Sequence, residues 1–192
     1  MLDIPNKKIK MIQDDSFSYT IPNVPDKRIR TLCFYLPFGS LMLHGKIETR
    51  WVREGRKPPF PKGKYVFYTS KRPCDDKTLI DWCGDEIYKH IHHTLFYDDT
   101  KGLNERIIGT GDLVGVRLLN KKDELNSFVK FVGRKSETVE GKEVVKVQWA
   151  LIFENVQATE PVETRFNGKS IAKQGIGFLP EEMVKLIKIN NV

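Results

Sequence analysis

The chain has 192 residues, 40% hydrophobic and 30% charged, enough for one well-buried core and so one domain with decorations. Its N-terminus lacks the apolar stretch of a secretory signal, and no run approaches the ~18 apolar residues of a membrane span, so a cytoplasmic location and no membrane partner are expected. A net charge of +7 and a pI near 9.2 admit a polyanionic partner, provided the charge is concentrated somewhere.

Residues 1–29 are polar, carry Pro5, Pro22 and Pro25, and show no sustained period, which predicts an N-terminal extension ahead of a domain spanning 30–192. The segment Arg30–Tyr35 reads as a first strand. Pro37 suits the first turn of a helix whose apolar side is Leu41, Met42 and Leu43, and Gly45 is placed to end it. The spacing then changes to alternation: Lys46, Glu48 and Arg50 against Ile47, Thr49 and Trp51, the pattern of a strand with three charges on one face. A proline- and glycine-rich loop follows. From Lys46 to Arg72 the basic residues are Lys46, Arg50, Arg53, Arg56, Lys57, Lys62, Lys64, Lys71 and Arg72, against only Glu48 and Glu54.

Residues 64–70 form a predicted strand, with Tyr65, Phe67 and Thr69 on one face and Val66, Tyr68 and Ser70 on the other. Asp75, Asp76 and Thr78 offer N-caps for a helical region reaching about His93. The glycines of IIGTGDLVGVRLL, Gly109, Gly111 and Gly115, predict bulges or close backbone approach in a central strand. No helix follows them, which excludes a dinucleotide fingerprint, and no cofactor is expected. Phe128–Val132 and Val144–Val156 read as strands with a turn at Glu140-Gly141, and a short helix begins at Pro180. The pattern predicts an α+β fold, a small mixed β-barrel with peripheral helices.

Cys33, Cys74 and Cys83 are an odd set without paired spacing, so reduced thiols are expected, with Cys33 in the core. Cys74 and Cys83 precede His90, His92 and His93, but the spacing fits no close-paired zinc pattern and no metal is expected.

Four places in order, Pro37 with the Gly45–Trp51 run, KGKYVFYTSK, IIGTGDLVGV, and WALIFENV followed by Pro161, Gly168, Lys169 and GIGFLP, make the chain resemble an ASCH domain, a branch of the PUA-like fold, over about residues 30–188. Many members carry a longer gap between the lysine and the glutamate than Lys46–Glu48, whereas Glu48 and Arg50 keep their spacing. The resemblance implies a cleft that binds RNA or a modified nucleoside. Lys46, Arg50, Lys71 and Lys169 are candidates for phosphates, Tyr68 or Trp51 for stacking a base, and Glu48, Ser70 or Asn155 for its polar edge. Trp149 is expected in the core ahead of a base platform.

A second reading from the resemblance is an amidohydrolase that deacetylates 4-N-acetylcytidine or a related acylated nucleoside. Thr49 would be nucleophile and Lys46 its base, at the spacing such proteins use, with Glu48, Glu86 or Glu105 as the carboxylate. Strand alternation sends Lys46 and Thr49 to opposite faces unless Lys46 sits in the turn before the strand. A ribonuclease using His44 or a Lys/Glu pair ranks a distant third. The oligomeric state is not legible from the sequence.

Overall fold

The computed structural model describes residues 29–70, 74–94, 103–163, 165–166, 169–170 and 176–179. The N-terminal extension and the C-terminal helix expected from the sequence lie outside them, as does Lys71.

Strand β1 (Arg30–Phe34) leads into helix α1 (Phe38–Gly45), then strands β2 (Ile47–Arg53) and β3 (Gly63–Thr69), helices α2 (Asp76–Cys83) and α3 (Asp85–Thr94), and strand β4 (Arg106–Leu118). A single turn, Lys121–Asp123, and the short helix α4 (Glu124–Ser127) precede β5 (Arg134–Val139) and the 22-residue β6 (Lys142–Glu163). Three short strands follow, β7 (Arg165–Phe166), β8 (Lys169–Ser170) and β9 (Ile176–Phe178). The main sheet runs β2-β6-β4-β3-β1-β9, with β5 alongside the first part of β6 and a parallel pairing between β1 and β3.

The apolar alternation read from the sequence explains why this sheet curls. Leu32 and Phe34 near one end of the strand order and Leu151 and Phe153 near the other share one buried cluster with Tyr65, Phe67 and Leu113, so the sheet must roll upon itself to bring them together. Edge-to-face ring pairs close it: Phe34 with Phe67 at 5.6 Å, Phe67 with Phe153 at 5.2 Å. The result is the expected α+β class, a half-barrel with helices around it.

Helix α1 works on two sides. Met42 and Leu43 pack into the barrel cluster, whereas Phe38 and Leu41 join Leu79, Cys83, Ile87 and Ile91 from α2 and α3 in a second one. The helical stretch expected over 75–93 is divided at Gly84, whose φ of 78° ends α2, while Asp75 caps it by accepting from the Thr78 N–H at 2.8 Å. Gly45 is the last residue of α1, but the left-handed cap falls on the next one: Lys46, φ 62°, donates its N–H to the Met42 carbonyl. Gly45 is small because α4 crosses there, and a Cβ would lie 1.9 Å from the Asn126 carbonyl oxygen.

Phe128–Val132 is not a strand. Phe128 closes α4 at φ 55°, and the Val132 and Gly133 N–H groups donate to the Gln148 side chain, at 2.7 and 2.8 Å, instead of to a neighbouring strand. The hairpin partner of β6 is the polar segment 134–139, whose mostly exposed residues carry no apolar alternation. No helix among the described residues is long and apolar enough to cross a membrane.

Candidate functional site

Strand β2 lies at one end of the sheet and, among the described residues, pairs only with β6, in the register Glu48 with Leu151, Arg50 with Trp149 and Thr49 with Ala150. Directly paired residues share a face. Leu151 belongs to the barrel cluster, so Glu48 and Arg50 point into the concave side. Thr49 and Trp51 point to the other face with Ala150 and Gln148, under the segment that Gln148 anchors through Lys130, Val132 and Gly133.

On the concave side Arg50 is held at three points. Its Nη2 is 3.0 Å from Glu48 Oε1, it donates to the Cys33 carbonyl at 3.4 Å, and its guanidinium lies 5.7 Å from the Phe60 ring centroid. The Cys33 contact spans the open seam of the half-barrel. In β1 the Phe34 carbonyl accepts from Ser70, the residue just after β3, so the Cys33 carbonyl, one residue back, faces away from β3 and lies just past the last β9 pairing, Leu32 with Ile176. Arg50 therefore ties β2 across to the edge of β1, and Phe60 folds the proline-rich loop over it.

Two buried N–H groups at this place have no hydrogen-bond partner among the described residues: Arg50 Nε and Trp149 Nε1. They belong to directly opposed residues on the same face. A buried donor without an acceptor costs most of its desolvation penalty, of order 1–3 kcal/mol, so a pair of them marks a place where an acceptor belongs. Beside them is the Glu48 carboxylate, its side chain 15% exposed. Burial raises the Glu48 carboxyl above its ordinary value, against the opposing pull of the Arg50 charge. Burial likewise raises the Cys33 thiol, although the Tyr68 hydrogen bond and Arg50 lower it, and burial leads the rise of the Tyr68 hydroxyl. Both stay protonated at neutral pH, so Cys33 is no thiolate nucleophile.

The structure gathers some of the residues expected from the sequence and scatters others. Glu48 and Arg50 come together with Trp149, Cys33 and Phe60. Tyr68 is fully enclosed and cannot stack a base; its hydroxyl serves Cys33 instead. Trp51 sits on the opposite face of β2 with Lys135 4.5 Å above its ring. Asn155 occupies a bulge of β6, φ 50°, and donates to Asp112 at 3.0 Å. Ser70 follows β3, its N–H bound to the Phe34 carbonyl and its own carbonyl accepting from the Glu105 N–H. Lys169 lies in β8, paired with Phe166. Lys46 is exposed in the turn before β2, the position a Lys46/Thr49 pair requires, yet Thr49 and Glu48 face opposite ways. Glu86 is exposed on α3 and His44 on the last turn of α1. Among the described residues no group of three or more His, Cys, Asp or Glu side chains is arranged for a metal ion.

Trp149 is the residue that sequence reasoning misplaces. Its neighbours Gln148, Ala150 and Leu151 are all buried, which invites a core assignment, but its own side chain is only half-buried and its N–H has no partner among the described residues. The signal is its place two residues before Leu151, directly opposite Arg50.

No protein-family model and no curated protein matches the chain. Among solved structures it is similar to the crystal structure of ASCH from Zymomonas mobilis, at 14% identity and a TM-score of 0.42, over 85% of this chain and 98% of that one. A serine-to-alanine variant of that protein aligns at 13% identity and a TM-score of 0.42, over 86% and 100%.

Proposed function

We propose that the chain binds a nucleobase, carried by RNA or by a modified nucleoside, in the cleft lined by Glu48, Arg50 and Trp149. The observation that carries this reading is the pair of unpartnered buried donors, Arg50 Nε and Trp149 Nε1, next to the Glu48 carboxylate. Two donors and one acceptor on a concave face suit the polar edge of a planar heterocycle, whose carbonyl or ring nitrogen accepts and whose amino group donates. The Trp149 ring adds an aromatic surface, and the exposed cations Arg56 and Lys62 lie on the loop that Phe60 anchors over Arg50.

Hydrolysis through Lys46 and Thr49 draws less support, because the carboxylate nearest in sequence, Glu48, is on the other face of β2 from Thr49. A binding role needs no such convergence.

The test is a titration with cytidine, 4-N-acetylcytidine and a short single-stranded RNA, following tryptophan fluorescence and, in parallel, release of cytidine. Wild-type protein is expected to bind with quenching of Trp149. Arg50→Ala and Trp149→Phe should each weaken binding roughly tenfold or more, the order expected when a buried polar group of the ligand loses its partner. Unchanged affinity in both variants would overturn the cleft. Turnover that Lys46→Ala and Thr49→Ala abolish would replace binding by hydrolysis.

A further inference from the structure

The two faces of β2 carry different chemistry, and the outer one holds a feature that the cleft does not use. Arg53 is directly opposite Lys146, and Lys146 is directly opposite Lys135, so three cations stand side by side across β2, β6 and β5. Like charges in direct register destabilise a sheet. Glu137 meets the Lys146 ammonium and lies 3.7 Å from that of Lys135, while Arg53 has no ion pair among the described residues. Lys142 has the same alternation as Lys146, so this face carries four cations against one carboxylate. Glu54, the residue after Arg53, is ion-paired with Arg134 at 2.8 Å. Arg56 continues the positive run through the turn after β2, its N–H donating to the Arg53 carbonyl.

We infer that the row Arg53–Lys146–Lys135 holds the phosphate backbone of a single-stranded polynucleotide whose base occupies the Arg50 cleft. The inference rests on that reading of the cleft, and it selects a strand over a free nucleoside as the ligand. Neighbouring strands lie about 4.8 Å apart, so the three cations make a line of about 10 Å that follows a chain of phosphates. Arg50 and Arg53 are three residues apart, again about 10 Å, on opposite faces of a strand at the end of the sheet. A flexible chain passing over that edge reaches both. A flat membrane meets only one face, and a stiff duplex does not bend around a single strand edge. Lys135 above Trp51 keeps one ammonium of the row fixed.

The experiment compares wild-type protein with the triple variant Arg53→Gln, Lys135→Gln, Lys146→Gln. Binding is measured to cytidine, to a fluorescent single-stranded RNA of about 12 nucleotides, to its duplex, and to phosphatidylserine vesicles, over a salt series. The triple variant should keep its affinity for cytidine and lose roughly tenfold or more for the single strand. Its slope of log K against log salt should become shallower by about 2, since each phosphate left without its cation removes about 0.7. The same single-strand affinity and slope in the triple variant would overturn the row while leaving the cleft reading intact. Equal loss for duplex or vesicles would overturn the assignment to a single strand. No binding of cytidine or RNA by wild-type protein would remove the cleft reading and this inference with it.

Discussion

Glu48 and Asp123 are both enclosed carboxylates facing an arginine, and they titrate in opposite directions. Asp123 is clasped by Arg117 through two hydrogen bonds, 2.6 and 2.8 Å, and accepts from the Asn120 N–H at 2.9 Å. Burial by itself would raise it, but the Arg117 hydrogen bonds, the Asn120 N–H and the Arg117 charge prevail and hold its carboxyl below the ordinary range. A depressed carboxyl contributes stability above its unfolded value and loses it as pH falls through its folded value. Asp123→Ala should therefore destabilise the protein by about 2–4 kcal/mol at neutral pH, with the difference from wild type shrinking below about pH 4; urea midpoints at several pH values check both. Among the described residues Glu48 has one strong partner and no backbone donor, and its carboxyl is raised. A raised carboxyl favours folding below its unfolded value, and its charge becomes a penalty as pH climbs through its folded value. Glu48→Gln keeps a group that can meet Arg50 and removes that penalty. Its Tm relative to wild type should rise from about pH 4 upward, while its affinity for the ligand falls. A variant less stable than wild type throughout, with unchanged binding, would show that Glu48 is a structural ion pair and no more.

The glycines of β4 divide by what surrounds them. At Gly109 a Cβ would lie 2.6 Å from the Gln157 carbonyl oxygen and 2.5 Å from Leu43 Cδ2, contacts with a backbone atom and a packed helix that cannot both give. At Gly115 the nearest atom is Ile152 Cδ1 at 3.4 Å, an ordinary contact. Gly109→Ala should cost about 3 kcal/mol or more, or prevent folding, and Gly115→Ala less than about 1 kcal/mol; equal urea midpoints for the two would contradict the packing of α1 on the sheet. The sequence marks this strand as one of close approach, because three glycines at such spacing have few other uses. Elements with a clear apolar period were legible in the same way: β1, β3, the centre of β6, and the apolar side of α1. The short α4 and the polar β5 were not, since α4 is four residues held by Glu124 and the Phe128 cap, and β5 pairs through its backbone with exposed side chains. The site followed the same division. Glu48 and Arg50 were legible from alternation, but Trp149, Phe60 and the Cys33 carbonyl reach Arg50 through strand register and the curl of the sheet, which a one-dimensional pattern does not contain.

The whole molecule is held together by elements that belong to more than one part. Strand β6 pairs with β2, β4 and β5, so the sheet has no division along its length. Helix α1 has only eight residues, with Met42 in the barrel cluster and Phe38 and Leu41 in the helical one. An isolated helix that short does not persist in water, so neither cluster can release it without exposing its share of the other. The described residues should then unfold in one step. Two tryptophans report on the two clusters: Trp82 on α2 has its ring 5.4 Å from that of Phe38, and Trp149 lies on the concave sheet. Urea unfolding of a variant retaining only Trp82 (Trp51→Phe, Trp149→Phe) and of one retaining only Trp149 (Trp51→Phe, Trp82→Phe) should each follow far-UV circular dichroism with the same midpoint. Loss of the Trp82 signal at lower urea than the dichroism would mean that α2 and α3 melt from a barrel still folded. Arg50 would then remain tied to Cys33 after the helices had left, and the cleft would owe its shape to the sheet and the Phe60 loop alone.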